Sequence, residues 1–213
     1  MIKTLICIDR DGTLIHDTRD HLFLGKDDGW RSQVRILPLV IEGLKRFNAL
    51  PSSAIYMITN QPGVAVRDYP HLTEARAHEV CSHVIEAIRS CGVIMDGYFL
   101  CPHANPAYVK KHPRLTFDSN LVHDCHCMKP SPGMVYEALR ANHSTLENVH
   151  LYVIGDRATD VETALSAGGT GILIPFVNEP GEREKVSALA MPNRTFIADN
   201  MEEAAEFIAD RES

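Results

Sequence analysis

The sequence predicts an α/β domain built on a doubly wound parallel sheet, and three observations predict it. Short apolar runs alternate with stretches of helical periodicity, the order expected when helices cover both faces of a parallel sheet. Several of these runs stop at acids or hydroxyls closely followed by glycine, which places polar side chains at strand carboxyl ends, where open α/β sheets bind ligands. With 213 residues, 45% of them hydrophobic, the chain can bury one full core, so a single domain over residues 1–213 is expected.

The first run, Leu5-Ile6-Cys7-Ile8, suits a strand buried on both faces and ends at Asp9-Arg10-Asp11-Gly12-Thr13. Strand alternation puts Asp9 and Asp11 on one face, and Gly12 lets the chain turn, so both carboxyls can approach one phosphoryl group. One can attack while the other handles protons. A plain acidic turn after a strand uses the same residues. Residues 17–33 follow as an irregular polar stretch holding His21, Lys26, Asp27, Asp28 and the only tryptophan, Trp30. A loop of this length beside the first strand is placed to cover a site. Arg19 and Arg31 read as solvated charges, and Trp30 as packed over the core.

Pro38 is expected to open a helix to about residue 50, with Val40, Leu44 and Phe47 on one face. The strand Ala54-Ile55-Tyr56-Met57-Ile58 then delivers Thr59-Asn60-Gln61-Pro62-Gly63. Thr73 is the expected N-cap of a helix to about Cys91, stopped by Gly92, whose core stripe is Ala77, Val80, Cys81, Val84, Ile88 and Cys91. His78 and His83 read as surface or satisfied histidines. Cys7, Cys81 and Cys91 read as small core hydrophobes.

A short strand, Gly97-Tyr98-Phe99-Leu100, delivers Cys101-Pro102-His103, and Cys125-His126-Cys127 follows a stretch with little apolar periodicity. Cys101, His103, Cys125 and Cys127 supply three thiolates and one imidazole, a set fit for a closed tetrahedral Zn²⁺ site that would clip the intervening loop. His112, His123 and His126 are competing ligands. Lys129 stands before Ser131-Pro132, the expected N-cap and first turn of a helix through about Asn142. There it is placed to neutralise a bound phosphoryl group. The strand Leu151-Tyr152-Val153-Ile154 runs into Gly155-Asp156-Arg157-Ala158-Thr159-Asp160 and a helix to Ala167. Strands near residues 171–174 and 195–197 complete the sheet, Asn178-Glu179-Pro180-Gly181 reads as a surface turn, and Asn200 caps a last helix over residues 201–209.

The strings D-x-D-G-T at 9–13, T-N-Q-x-G at 59–63, K-P-x-P-G-M at 129–134 and G-D-x-x-x-D at 155–160 come in one order. Together they resemble the four motifs of the haloacid dehalogenase (HAD) superfamily. The resemblance implies a HAD-like Rossmannoid sheet with no large cap domain and a zinc-clipped loop. It implies a Mg²⁺-dependent phosphomonoesterase in which Asp9 attacks phosphorus and Asp11 serves as general acid and base. Thr59, Asn60 and Lys129 would hold phosphoryl oxygens, and Asp9, the Asp11 carbonyl and Asp156 would hold Mg²⁺. Asp160 would cap its helix or bind waters of the ion, and Arg157 would pair with an acid near the site. The T-N-Q form and the C-x-H and C-x-C pairs are similar to the zinc-loop branch that includes heptose-bisphosphate and histidinol-phosphate phosphatases. This chain departs from compact members by extra residues over 110–124 and by Met128 where a substrate-contacting Arg is expected. The implied substrate is a small phosphorylated metabolite, a sugar bisphosphate such as heptose 1,7-bisphosphate, with histidinol phosphate as the alternative.

The formal charge is -7 and the basic residues are scattered, so no stripe would track a nucleic-acid backbone. No apolar segment approaches the roughly 18 residues of a membrane span, and Asp9 interrupts the first run before signal-peptide length. A cytoplasmic location is therefore expected, with the six cysteines not forming a disulfide framework. A receiver-type signalling domain would lack an acid two residues after its phosphorylated Asp. A catalytically silent, zinc-ordered binding module would typically lack Asp9 or Asp156, and both are present. Oligomeric state leaves no signature.

Overall fold

Six strands form one all-parallel sheet in the order β3-β2-β1-β4-β5-β6 in the computed structural model, which describes residues 2–16, 23–177 and 181–212. The strands are β1 (Thr4–Asp9), β2 (Ser53–Asn60), β3 (Gly97–Cys101), β4 (His150–Gly155), β5 (Thr170–Leu173) and β6 (Thr195–Ile197). The chain leaves β1 for β2 and β3 on one side, then returns to pair β4 with the other side of β1. That reversal beside β1 is the topological switch at which such sheets open a crevice.

Strand alternation sorts the core into two layers. Ile6, Ile8, Ile55, Met57, Tyr152 and Ile154 join one apolar cluster with α1 (Val40–Ala49), α2 (Glu74–Ser90) and α7 (Met201–Glu212). Leu5, Cys7, Ala54, Ile58, Leu151 and Val153 join another with α4 (Gly133–Ala141) and the end of α5 (Ala158–Ser166). Val186 of α6 (Glu182–Ala188) packs with Val161 and Leu173 at the β5 side. Helices thus cover both faces, as expected for buried apolar strands. No described helix is long and apolar enough to cross a membrane.

Several local expectations are corrected. Leu39 takes a left-handed conformation (φ 62°) as the N-cap of α1, so that helix starts at Val40 and Pro38 lies outside it. Ser131 does not cap α4, which begins at Gly133 after Pro132. The Gly133 N–H instead donates to the His126 carbonyl at 2.8 Å, tying the helix start to the preceding cysteine pair. Cys91 is exposed at the end of α2, while Cys7 and Cys81 are buried. Residues 104–124 are not wholly irregular. Asn105 accepts the Tyr108 N–H at 2.7 Å and caps a short helix, α3 (Pro106–Lys111).

Other expectations match. Thr73 accepts the Arg76 N–H and caps α2, and Asn200 accepts the Glu203 N–H at the start of α7. Trp30 is fully buried in a 3-10 turn, with Arg31 over its ring and His83 edge-on at 5.3 Å. His78 is exposed, with its ring 3.2 Å from the Tyr98 hydroxyl. Asp17, Arg19, His21 and the turn at Asn178, Glu179 and Pro180 lie outside the described residues.

Candidate active site and metal cluster

Because every strand runs the same way, the polar ends of β1, β2 and β4 meet at one edge of the sheet. Asp9 ends β1 beside Ile58 of β2, and Gly155 ends β4, delivering Asp156 alongside. Gly12 holds φ +85°, and a Cβ there would lie 2.5 Å from Asp156 Oδ2. Only glycine accepts both the left-handed backbone and that approach. Gly155 leaves room in the same way for the Asp160 carboxyl folded back over it.

Lys129 reaches into this edge from the segment before α4. Its buried ammonium donates to Asp9 Oδ1 and to Asp160 Oδ1, the latter at 2.6 Å. Burial pushes this ammonium toward the neutral form, but Asp160 and Asp9 outweigh it and raise its pKa, so it stays charged. Asp160 also accepts the Arg157 N–H at 3.1 Å, so one carboxyl caps α5 and steadies Lys129.

Burial pushes the Asp9 carboxyl up to about 7; Asp160 and Asp11 add to the rise and Lys129 opposes it. Asp156 is pushed up to about 9, first by burial and then by the charges of Asp9 and Asp160. Its Oδ2 is buried without a hydrogen-bond partner, and Arg157 Nε stands 3.9 Å away. Oxygens of Asp9, Asp156 and Asp160 lie within 4.8 Å of one another. Ionised together, the three carboxylates would exceed the charges of Lys129 and Arg157, and an all-oxygen donor set whose acids hold their protons in the absence of a cation suits a hard divalent ion.

Asp11 stands apart from that triad. Arg10 Nε donates to both of its oxygens at 3.0 and 3.1 Å, Arg10 Nη2 lies 2.9 Å from Oδ2, and Gln61 Nε2 donates to Oδ2 at 3.0 Å. The Arg10 guanidinium is 1% exposed and also donates to Cys81 Sγ, whereas the Asp11 side chain is 28% exposed and faces the cleft. Gln61 Nε2 further donates to the Thr59 hydroxyl at 2.8 Å, leaving the hydroxyl proton of Thr59 free to point elsewhere. Asn60, expected to hold a phosphoryl oxygen, lines the cleft and turns its side-chain amide to the main chain of Lys129.

These groups floor a cleft of about 420 Å³. Asn105, Ala107, Tyr108, Lys111 and His112 of the α3 segment line its wall, together with Met128 and Phe23.

The four expected metal ligands outside the cleft come together. Cys127 Sγ lies 3.0 Å from Cys101, 3.4 Å from Cys125 and 3.3 Å from His103 Nδ1. Tetrahedral zinc with sulfur at ~2.3 Å puts sulfur ligands roughly 3.8 Å apart and a sulfur and a ring nitrogen roughly 3.5 Å apart, so the set can close on one ion with shifts of a few tenths of an ångström. The hydrogen bond shared by Cys101 and Cys127 pushes the Cys127 thiol down to about 5 and pushes Cys101 up. His123 packs against His103 with tilted rings 4.4 Å apart, His112 packs against Tyr108 in the same way at 4.4 Å, and His126 is exposed. None of the three joins the cluster.

The HAD-hydrolase-like family model matches residues 126–204, which hold Lys129, Asp156 and Asp160. Over 172 residues the chain is 31% identical to the histidine biosynthesis bifunctional protein HisB of Buchnera aphidicola, covering 81% of this chain and 41% of HisB. The chain therefore spans about two fifths of the length of that relative. The match over residues 126–204, the all-parallel sheet and the acids at one edge make the chain similar to the HAD-like hydrolases.

The chain is also 28% identical over 170 residues to D-glycero-beta-D-manno-heptose-1,7-bisphosphate 7-phosphatase of Yersinia pestis, covering 79% of each chain. Its fold is similar to the crystal structure of D,D-heptose 1,7-bisphosphate phosphatase from B. bronchiseptica, complexed with magnesium and phosphate. That comparison has a TM-score of 0.70 at 22% identity and covers 98% of this chain and 99% of the other. Within the site, sequence reasoning overlooked Arg10 and Gln61. A lone Arg between two acids at the end of a buried strand was the available signal, since a buried guanidinium needs an anionic partner.

Proposed function

We propose that this chain is a HAD-like phosphomonoesterase that transfers a phosphoryl group to Asp9 and then to water. The observation that carries this reading is the Lys129 bridge from Asp9 to Asp160 beside the unpartnered Asp156 oxygen. A carboxylate at a strand end, with a fixed cation on one oxygen and its other oxygen free, is oriented for attack on phosphorus.

Lys129 meets the charge that spreads over the phosphoryl oxygens, and the Thr59 hydroxyl adds a neutral donor. Asn60 acts through Lys129, by holding its main chain. Asp11 gives a proton to the leaving alkoxide and later takes one from the attacking water, steps worth about 10²–10⁴-fold each. Arg10 and Gln61 fix its position. Asp9, Asp156 and the Asp11 main chain would hold Mg²⁺, which when bound supplies the positive charge that lets an anionic nucleophile meet an anionic ester. Cys101, His103, Cys125 and Cys127 would hold a structural Zn²⁺, since four protein ligands leave no open position.

The substrate is a small phosphorylated metabolite, in our reading a sugar bisphosphate such as heptose 1,7-bisphosphate. Support comes from the heptose-bisphosphate phosphatase relative matched over 79% of each chain. Histidinol phosphate is the second reading, favoured by the identity to the HisB relatives. Phosphate release with Mg²⁺ from heptose 1,7-bisphosphate, histidinol phosphate and common sugar phosphates tests the proposal. Turnover of one ester well above the rest, abolished by Asp9→Asn, is expected. A folded, zinc-replete protein that releases no phosphate would instead be a zinc-ordered binding module.

A further inference from the structure

We infer that the edge of the sheet opposite the acids carries a second binding site, in which Arg194 and Arg211 receive the phosphate or carboxylate of a small organic anion. The site is a cavity of about 490 Å³ at the amino ends of β4, β5 and β6. His150 opens β4, Gly169 and Thr170 lead into β5, and Arg194 directly precedes β6. At ~3.3 Å per residue, β4 sets His150 roughly 20 Å from Asp156, so the cavity is separate from the catalytic cleft.

The two cavities are sorted by charge. Asp9, Asp11, Asp156 and Asp160 face the cleft, whereas Arg194, Arg211 and His150 line this cavity and no described acid does. In a chain with 28 acids against 21 lysines and arginines, that sorting runs against composition. Glu212, which adjoins the cavity, is engaged inside the fold. It accepts the Thr4 hydroxyl at 2.8 Å and the Tyr152 hydroxyl at 2.7 Å, and its Oε1 lies 2.9 Å from His150 Nδ1.

Both guanidiniums are held by neutral groups and keep donors to spare. Arg194 Nε and Nη2 donate to the Gly169 carbonyl at 3.1 and 2.9 Å, and Nη2 also donates to the Leu165 carbonyl at 3.2 Å, at the end of α5. Arg211 Nη2 donates to the Asn193 carbonyl at 3.3 Å, and its guanidinium lies over the Phe207 ring. Asn193 precedes Arg194, so both guanidiniums stand about one short piece of main chain. Among the described residues, Arg194 Nη1 and Arg211 Nε and Nη1 have no partner, and neither guanidinium pairs with a carboxylate. Planar N–H forks of this kind match the oxygens of a phosphate or carboxylate, and donors already held in place lose little freedom on binding. Leu146, Val149 and Leu151 supply an apolar wall. The volume falls within the roughly 300–1,000 Å³ of small-molecule sites, so the anion is carried on an organic body.

Calorimetry on the full-length, zinc-supplied protein without Mg²⁺ tests the site, with phenyl phosphate, benzoate and inorganic phosphate as probes. The first two carry the two anions on one apolar body, and inorganic phosphate lacks the body. At least one organic probe is expected to bind more tightly than inorganic phosphate, and the one that does names the anion. Arg211→Glu should weaken that binding about tenfold with an unchanged melting temperature, since Arg211 is exposed. Amide NMR spectra of the native protein locate the probe: the signals of Gly168, Gly169 and Thr170 should shift while those of Gly12 and Gly155 stay. Full affinity in Arg211→Glu, no organic probe that outbinds inorganic phosphate, or shifts at Gly12 and Gly155 alone overturns the site. Binding is read without turnover, so the outcome is independent of the phosphomonoesterase reading.

Discussion

Asn60 clasps the main chain of Lys129 from both sides, its Nδ2 donating to the Lys129 carbonyl at 3.1 Å and its Oδ1 accepting the Lys129 N–H at 3.0 Å. The end of β2 thereby sets the position of a lysine that comes 69 residues later. Asn60→Ala leaves both buried main-chain groups without partners, at a cost of about 1–3 kcal/mol. In a chain of this size the melting temperature falls roughly 2–4 °C per kcal/mol. Since a displacement near 1 Å can cost about 10² in rate, kcat should fall more than KM rises. Thermal melts and steady-state kinetics on the same preparation check this, and a rise in KM alone would mean that Asn60 binds substrate directly.

Gly12→Ala tests the packing of the first acid loop against β4. The substitution puts a side chain at φ +85° and a Cβ 2.5 Å from Asp156 Oδ2. The backbone alone costs about 1–2 kcal/mol, and the displaced carboxyl should cost activity and magnesium affinity together. Gly29→Ala, where a Cβ meets nothing within 4 Å, is the control and should leave both unchanged.

Proton linkage gives the metal-free protein a defined pH dependence. Above about pH 4 the unfolded chain has released the protons of Asp9 and Asp156, while the folded protein keeps them up to about 7 and about 9. Over that window the folded state binds more protons, so stability falls as pH rises. A cation that replaces those protons binds better at higher pH. Melting scans without added Mg²⁺ should therefore decline from pH 5 to 9, and Mg²⁺ should raise the melting temperature more at pH 8 than at pH 6. An increment independent of pH would exclude these carboxyls as the ligands.

Cys127→Ser tests the link between the cluster and the catalytic edge, since Lys129 follows two residues later. Zinc content by mass spectrometry should drop from near one ion per chain, and residues 104–124 should become sensitive to limited proteolysis. Turnover should fall with them. Full zinc content in this variant would remove Cys127 from the ligand set.

The alternation of apolar runs with helical stretches made the sheet and its catalytic edge readable, because buried parallel strands leave no other pattern. Thr73 and Asn200 were legible as caps because capping needs only a short side chain and a nearby N–H. Pro38 and Ser131 misled, because proline and serine start turns as readily as helices, and Leu39 and Gly133 decided the outcome through backbone geometry. The α3 helix was hidden because its six residues are too few to show a period, and the Asn105 cap and the Tyr108 contact with Phe117 hold it. Within the site, the residue types were readable but their pairings were not. That Lys129 spans Asp9 and Asp160, that Arg10 grips Asp11, and that Asn60 serves Lys129 all depend on long-range placement.

The central claim is that Asp9 becomes phosphorylated. Acid-quenched protein, mixed with heptose 1,7-bisphosphate and Mg²⁺ and digested, should show one added phosphoryl group on the peptide that contains Asp9. The adduct should build up in Asp11→Asn, where hydrolysis lacks its base, and be absent from Asp9→Asn. Phosphate release without that adduct in either the native protein or Asp11→Asn, or turnover that survives Asp9→Asn, would contradict the account.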